Sequence, residues 1–148
     1  MTTTRQNVPG GAVRRAAPGL RPRSRLRTRT AGTAALVEVH GEIDLSTAPE
    51  LTAALDAATA RARPDVVVDL RPVTFLDCSG LSALCRARHR ALDRGGRLRL
   101  VLDDPYRLRI LRLAGLGGVF ETHPDLAGAL RPAATAPPGL RRQALGLA

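Results

Sequence analysis

The sequence predicts a single small α/β domain, with about four helices packed on a mixed β-sheet of about four to five strands. Its length of 148 residues allows one buried core. Two strand patterns separated by a turn signal indicate a hairpin near the start of the domain. After the hairpin, helical and strand patterns alternate, which is typical of α/β domains. Strands joined through single helices are expected to run parallel, with right-handed crossovers.

Apolar patterns locate the expected strands. Residues 26–30 alternate like an edge strand, and residues 35–40 follow after a turn at Ala31-Gly32-Thr33. The continuous apolar run at 66–70 is typical of a central strand that is covered on both faces. Two further strands are expected at 97–102 and, very short, at Val119-Phe120.

Four segments show helical signals. The first follows a cap at Ser46 or Thr47, has Pro49 in its first turn and ends at Pro64. The others are expected from Asp77 to about Arg94, at 105–114 and at 124–130. The side chains expected to face the core recur at helical spacing. They are Leu51, Ala54, Leu55, Ala58, Ala62, Leu81, Leu84, Cys85, Leu92, Leu108, Ile110 and Leu111.

The net charge of +10 is concentrated near the two ends of the chain. Residues 31–130 carry twelve arginines against thirteen acidic residues, whereas residues 1–30 carry eight arginines and no acid. We therefore expect a near-neutral domain at 24–130 between a disordered arginine-rich tail at 1–23 and a loose tail at 131–148. With so few aromatic side chains, this distribution argues against nucleic acid as the partner.

Several other classes of protein are disfavoured. No apolar run is long enough to span a membrane and no secretory signal is evident, so we expect a cytoplasmic protein without membrane contact. Cys78 and Cys85 would lie about 10 Å apart along one helix, too far for a disulfide. The three histidines lack metal-ligand spacing and there is no Gly-x-Ser-x-Gly elbow, so we expect no metal, no cofactor and no enzymatic activity.

The segment Phe75-Leu76-Asp77-Cys78-Ser79-Gly80-Leu81 is the most informative in the chain. A short strand pattern ends there and a helical pattern begins. A helix N-terminus offers unpaired N–H groups and the positive end of the helix dipole, so it favours negative charge. A phosphate at this point would add a charge of roughly −1.5 to −2, which a docking partner could detect.

Three motifs together resemble the STAS-domain family, specifically the bacterial anti-sigma factor antagonists. Asp77-Cys78-Ser79-Gly80-Leu81 resembles the Asp-Ser-Ser/Thr-Gly-Leu phosphorylation loop of that family. Gly41-Glu42-Ile43-Asp44 resembles the motif that ends its second strand, and residues 107–116 resemble its third helix with the closing Gly-Leu. The three motifs occur in the family's order and spacing, over about residues 26–130.

The resemblance implies a regulatory binding module with the STAS fold. In the family, the unphosphorylated protein docks on an anti-sigma factor, a serine kinase of the histidine-kinase-like ATPase fold, and so releases a sigma factor. Phosphorylation of the loop ends the complex and a phosphatase resets it. We expect the same partners here, with a monomer or a weak dimer. The alternative is a STAS scaffold or sensor component of a stress-signalling assembly, without kinase-driven switching.

The resemblance also assigns the site residues. Partner contacts are expected from Asp44, Asp77, Cys78, Ser79, Gly80 and Leu81. The phosphoacceptor position, Ser or Thr in the family, is Cys78, so either the switch is lost or Ser79 replaces it. A shift of one residue at a helix start rotates a side chain by about 100°, so Ser79 need not inherit the role. Cys78 could be a redox-sensing thiol or a small substitute for serine. Asp77 could cap the helix, and Asp44 could bond the following turn.

Overall fold

The computed structural model describes residues 24–132, so the predicted tails lie outside the described residues, apart from residues 131 and 132. The described part contains six strands and four helices. In chain order they are β1 (Ser24–Ala31), β2 (Ala34–Ile43), α1 (Ala48–Ala58), β3 (Asp65–Asp69), β4 (Val73–Leu76), α2 (Cys78–Asp93), β5 (Arg97–Val101), α3 (Pro105–Leu113), β6 (Glu121–His123) and α4 (Leu126–Ala129).

The sheet is mixed, as the sequence predicts. Its main path is β1-β2-β3-β5-β6, in which β1 is antiparallel to β2 and the other pairs are parallel. The extra strand, β4, pairs in parallel with the end of β2, beyond the stretch of β2 that pairs with β3. The ten residues of β2 are long enough to hold both neighbours in succession. A register shift between Gly41, whose φ is +88°, and Glu42 lies within the β2–β4 pairing.

The core lies mainly between one face of the sheet and helices α1, α2 and α3. Val66 and Val68 of β3 face this core, while Val67 packs with Ala129 of α4 on the opposite face. All three valines of β3 are fully buried, which confirms the prediction of a central strand covered on both faces. The sheet therefore holds its strand ends in fixed positions, and the loops at those ends are the places where a site can form.

Two predicted ends of elements are wrong. The last strand is Glu121–His123, not Val119-Phe120, because Phe120 is buried in the main core before the chain joins the edge of the sheet. The first helix ends at Ala58, well before Pro64. The hydroxyl of Thr59 donates to the carbonyl oxygen of Leu55 (2.8 Å) and the Thr59 side chain is fully buried at this end.

Two side chains that were predicted to face the core are exposed. Ala62 lies beyond the end of α1 and is exposed, and Leu92 of α2 keeps 48% of its surface accessible. The neighbouring Ala91 is fully buried in place of Leu92.

A salt bridge connects α1 and α2. Arg86 of α2 donates to both carboxylate oxygens of Asp56 in α1 (3.2 and 3.1 Å).

Candidate partner-binding loops

Two loops lie side by side where β2 and β4 end. Ile43 and Leu76, the last residues of these parallel strands, are paired in register. The backbone N–H of Asp77 donates to the carbonyl oxygen of Ile43 (3.1 Å), which extends the pairing by one residue. Asp44 and Asp77 therefore leave the sheet at adjacent positions. The sheet thus brings together the two motifs that lie more than thirty residues apart in the sequence.

Asp77 caps the start of α2. Its Oδ1 accepts hydrogen bonds from the backbone N–H groups of Ser79 (2.9 Å) and Gly80 (3.3 Å) and from the Ser79 hydroxyl. The hydroxyl bond, followed by the two backbone bonds, lowers the pKa of Asp77, while desolvation and the charge of Asp44 oppose this shift. The capping interpretation of Asp77 thus agrees with the geometry.

Asp44 makes the same pattern of hydrogen bonds one loop earlier. Its Oδ1 accepts from the Ser46 hydroxyl (2.7 Å), the Ser46 N–H (2.9 Å) and the Thr47 N–H (3.2 Å). The Ser46 hydroxyl bond is the largest influence on Asp44 and lowers its pKa. Thr47 is the N-cap residue of α1, but its hydroxyl donates to the carbonyl oxygen of Glu42 (2.9 Å) instead of capping the helix.

The middle residue of each loop is exposed, and Ser46 of the first loop is exposed as well. Leu45 is 80% exposed and Cys78, the first residue of α2, is also exposed. Ser79 is half-buried, with its hydroxyl donated to Asp77. Sequence reasoning missed Leu45, although the repeated spacing of Asp44-Leu45-Ser46 and Asp77-Cys78-Ser79 could have revealed it. A partner that approaches these strand ends would meet Leu45 and Cys78 first.

Gly80 and Leu81 are buried behind the exposed loop. A Cβ atom on Gly80 would lie 2.3 Å from Cδ1 of Leu76 and 2.8 Å from Cγ2 of Ile43. A larger residue would force Leu76 and Ile43 to shift, so glycine lets the first turn of α2 pack this closely on the ends of β2 and β4. Leu81 is 8% exposed and belongs to the main core. These two residues fix the position of the loop.

The Ser79 hydroxyl and His89 do not form a catalytic pair. His89, on α2, lies beside Asp93 (3.3 Å), one helical turn along the same helix, and not beside Ser79. Within residues 24–132, no three His, Cys, Asp or Glu side chains are grouped so that they could hold a metal ion. Both cysteines are free thiols. In the same range, no helix combines the length and the apolar character needed to cross a bilayer.

The arrangement is that of a small α/β domain that presents two hydrogen-bonded loops at the ends of two neighbouring parallel strands. A family model described as "Mlab, STAS domain" matches residues 26–132, which include every strand and helix except the first two residues of β1. The chain belongs to the STAS-domain family.

Within this family the chain is similar to regulators of sigma factors. It is 33% identical over 101 residues to the anti-sigma-F factor antagonist RsfA of Mycobacterium tuberculosis, covering 66% of this chain and 78% of RsfA. It is 33% identical over 113 residues to the putative anti-anti-sigma factor Rv2638 of the same species, covering 74% of this chain and 76% of that protein.

A solved structure agrees with this likeness. The crystal structure of an anti-sigma factor antagonist from Mycobacterium paratuberculosis superposes with a TM-score of 0.66 at 33% identity, and the alignment covers 72% of this chain and 91% of that one. The STAS fold predicted from the three sequence motifs is confirmed. The named relatives are regulatory proteins.

Proposed function

We propose that this protein is an anti-sigma factor antagonist, which binds an anti-sigma factor kinase in the cytoplasm and so releases a sigma factor for transcription. The likeness to RsfA and to the Mycobacterium paratuberculosis structure supports the class of function. The observation that carries the proposal is the exposure of Leu45 and Cys78 on two neighbouring loops that are held rigidly by Asp44 and Asp77. Such a surface suits docking, because its backbone is ordered before the partner arrives.

We propose further that phosphorylation does not switch this loop off. The most exposed position at the start of α2 carries a thiol, Cys78, which is not a normal substrate for a serine kinase. Ser79 offers a hydroxyl, but it is half-buried and bonded to Asp77. A phosphate on Ser79 would break that bond and place a dianion beside the Asp77 carboxylate. Both features favour a constitutive antagonist, which stays bound while its partner is present.

The first experiment is affinity capture with the tagged protein from its host, followed by mass spectrometry of the captured proteins. Recovery of an anti-sigma factor of the histidine-kinase-like ATPase fold supports the proposal. Recovery of only other STAS proteins would contradict it and support a scaffold or sensor function. The captured kinase is then the reagent for testing the loop.

The second experiment asks which loop residue the kinase modifies. The wild type, Cys78→Ser, Ser79→Ala and the double variant are incubated with the captured kinase and ATP, and intact masses are measured. We expect no phosphate on the wild type, and one phosphate on Cys78→Ser that remains in the double variant. Phosphate on the wild type that disappears in Ser79→Ala would contradict the constitutive antagonist and place the switch at Ser79.

Binding by the modified protein completes the test. Phosphorylated Cys78→Ser should lose affinity for the kinase, since a dianion must be desolvated at a packed interface and lies next to Asp44 and Asp77. The unmodified variant should bind like the wild type, because serine and cysteine are close in size and the position is exposed. Equal affinity before and after phosphorylation would show that this loop is not part of the interface.

A further inference from the structure

Helix α3 carries a second apolar stripe that faces away from the core. Leu111 is 3% exposed and packs into the main core together with Leu108. Tyr106 and Leu113, in contrast, are 69% and 78% exposed, and Ile110 is half-buried between them. Residues spaced i, i+4 and i+7 lie on one face of a helix. This exposed stripe therefore has the spacing by which helices bind other helices.

The stripe borders a groove between α3 and β4. Phe75 of β4 is 53% exposed and lines the groove together with Tyr106 and Ile110. The floor is apolar and includes Leu70 and Leu102. The groove holds about 190 Å³, which is below the range of about 300–1,000 Å³ typical of small-molecule sites. Its size suits one bulky side chain of a partner better than a drug-sized ligand.

The use of aromatic residues singles out this groove. The chain has only three of them, Phe75, Tyr106 and Phe120. Phe120 is buried in the core, whereas the other two are exposed and flank the same groove. Tyrosine and phenylalanine are enriched at protein interfaces, where a few such side chains supply most of the binding free energy. Two of the three aromatic side chains therefore lie on one exposed groove, as expected of a protein interface.

The charges around the stripe indicate what covers it. Helix α3 contains three arginines and no acidic residue. Arg107 is bonded internally, because it donates to the carbonyl oxygen of Leu70 (2.8 Å). Arg109 and Arg112 are exposed, and within residues 24–132 neither takes part in an ion pair. Asp104 also lines the groove, but it pairs with Arg107 (3.7 Å), so the charges of Arg109 and Arg112 favour an acidic partner.

The groove is also continuous with the candidate loops. Leu76 lines the groove and immediately precedes Asp77 and Cys78. One partner can therefore cover the loops and the groove together. We propose that the surface formed by Phe75, Tyr106, Ile110 and Leu113, the β4–α3 surface, binds an amphipathic helix of the anti-sigma factor whose flanks are acidic. This inference rests on the proposed function and specifies where the partner makes its apolar contacts.

The test compares variants of the β4–α3 surface with a matched control. Tyr106→Ser/Leu113→Ser removes two exposed apolar side chains, and Leu92→Ser removes one from another helix, where it is 48% exposed. Affinities for the purified anti-sigma factor are measured by calorimetry. We expect the double variant to raise Kd at least about tenfold. Leu92→Ser should leave Kd unchanged. A double variant that binds as tightly as the wild type overturns the inference.

Charge reversal tests the chemistry of the partner. Arg109→Glu/Arg112→Glu should weaken binding and reduce its dependence on salt, because it removes attraction to acidic flanks. Tighter binding by this variant would mean that the helix is basic and would overturn the proposed partner chemistry. Circular dichroism checks that each variant is folded, which is expected because all five substituted side chains are exposed.

The outcomes separate the two proposals. If the wild-type protein binds no anti-sigma factor, the proposed function fails and the helix inference falls with it. If the wild type binds and only the loop variants weaken binding, the function stands and the β4–α3 inference alone is wrong. Sedimentation of the free protein tests whether the β4–α3 surface binds a second copy of this chain instead. Self-association that Leu113→Ser abolishes would assign the surface to a second copy of this chain and overturn the inference.

Discussion

The loops after β2 and β4 share one hydrogen-bonding pattern but differ in their position relative to the next helix. In each, an aspartate accepts bonds from the hydroxyl and the N–H of a serine two residues on, and the residue between them is exposed. Asp77 is itself the N-cap of α2, whereas α1 begins four residues after Asp44. Only the second loop therefore places its exposed residue in the first turn of a helix.

This difference has a chemical consequence. Cys78 lies at the positive dipole end of a sixteen-residue helix, although Asp77 already accepts the N–H groups of Ser79 and Gly80, whereas Leu45 lies in a turn. The helix dipole would stabilise a negative group at position 78 in the free protein, whereas a partner that covers this position would have to desolvate the charge. The position is thus suited to a charge switch, although its residue is a thiol. Leu45 is suited to steady apolar contact.

The largest expected effect comes from the packing that holds the second loop in place. Gly80→Ala forces a Cβ atom against Leu76 and Ile43. After the gain in helix propensity is subtracted from the cost of overpacking, the protein should lose up to about 2 kcal/mol of stability. Urea unfolding measures the change. Gly118→Ala is the matched control, because a Cβ atom there would meet nothing within 4 Å. Its effect should be within about 0.5 kcal/mol. Equal effects of the two substitutions would show that α2 can move away from the strand ends.

We expect a smaller loss of stability when either aspartate is replaced, and the loss should differ between the two. Asp77→Ala removes the N-cap of a helix that supplies Leu81 and Leu84 to the core, whereas Asp44→Ala loosens the turn before α1. In that turn the Thr47 hydroxyl keeps its bond to Glu42. Asp77→Ala should therefore lower the urea midpoint more than Asp44→Ala, with equal slopes of the transition. The opposite order would mean that the first loop contributes more to the fold than the second.

Local signals in the sequence were sufficient to predict the fold, but they did not predict the pairing of strand β4 or the exposure of Leu92. The apolar run at 66–70 and the Asp77 cap depend on neighbouring residues, and both appear in the structure as expected. Strand β4 has four residues and directly follows Pro72, so its pairing with the end of β2 depends on tertiary contacts. The exposure of Leu92 has the same origin, because Ala91 takes the buried position.

The site was predictable in part for a similar reason. The Asp77 loop could be recognised because its residues are contiguous. The exposure of Leu45 and the groove at Phe75 and Tyr106 result from the way β2, β4 and α3 are assembled. Spacing along the chain predicted Ile110 to face the core, and it is only half-buried, between Tyr106 and Leu113. A helix with apolar residues on two faces gives an ambiguous pattern until its neighbours are known.

The smallest expected effect is electrostatic coupling between the two loops. The hydroxyl of Ser79 holds the pKa of Asp77 below its usual value, and the charge of Asp44 opposes that shift. Asp44→Asn removes the opposing charge but keeps an oxygen for the turn, so it should lower the pKa of Asp77 further. NMR titration of the Asp77 carboxyl carbon measures this directly. A midpoint that stays in place or rises would show that the two carboxylates do not interact.

The same pKa shifts fix the sign of the stability change with pH. Asp44 and Asp77 both have lowered pKa values in the folded protein, so the unfolded chain binds protons first as the pH falls. The stability that they contribute is complete above about pH 4 and is lost as the pH falls through their lower folded values. Asp44→Asn/Asp77→Asn should therefore lose less stability than the wild type on acidification from pH 5 to pH 2. Parallel pH profiles for the two proteins would mean that neither carboxylate is stabilised by its loop, and the shared hydrogen-bonding pattern would then have no energetic counterpart.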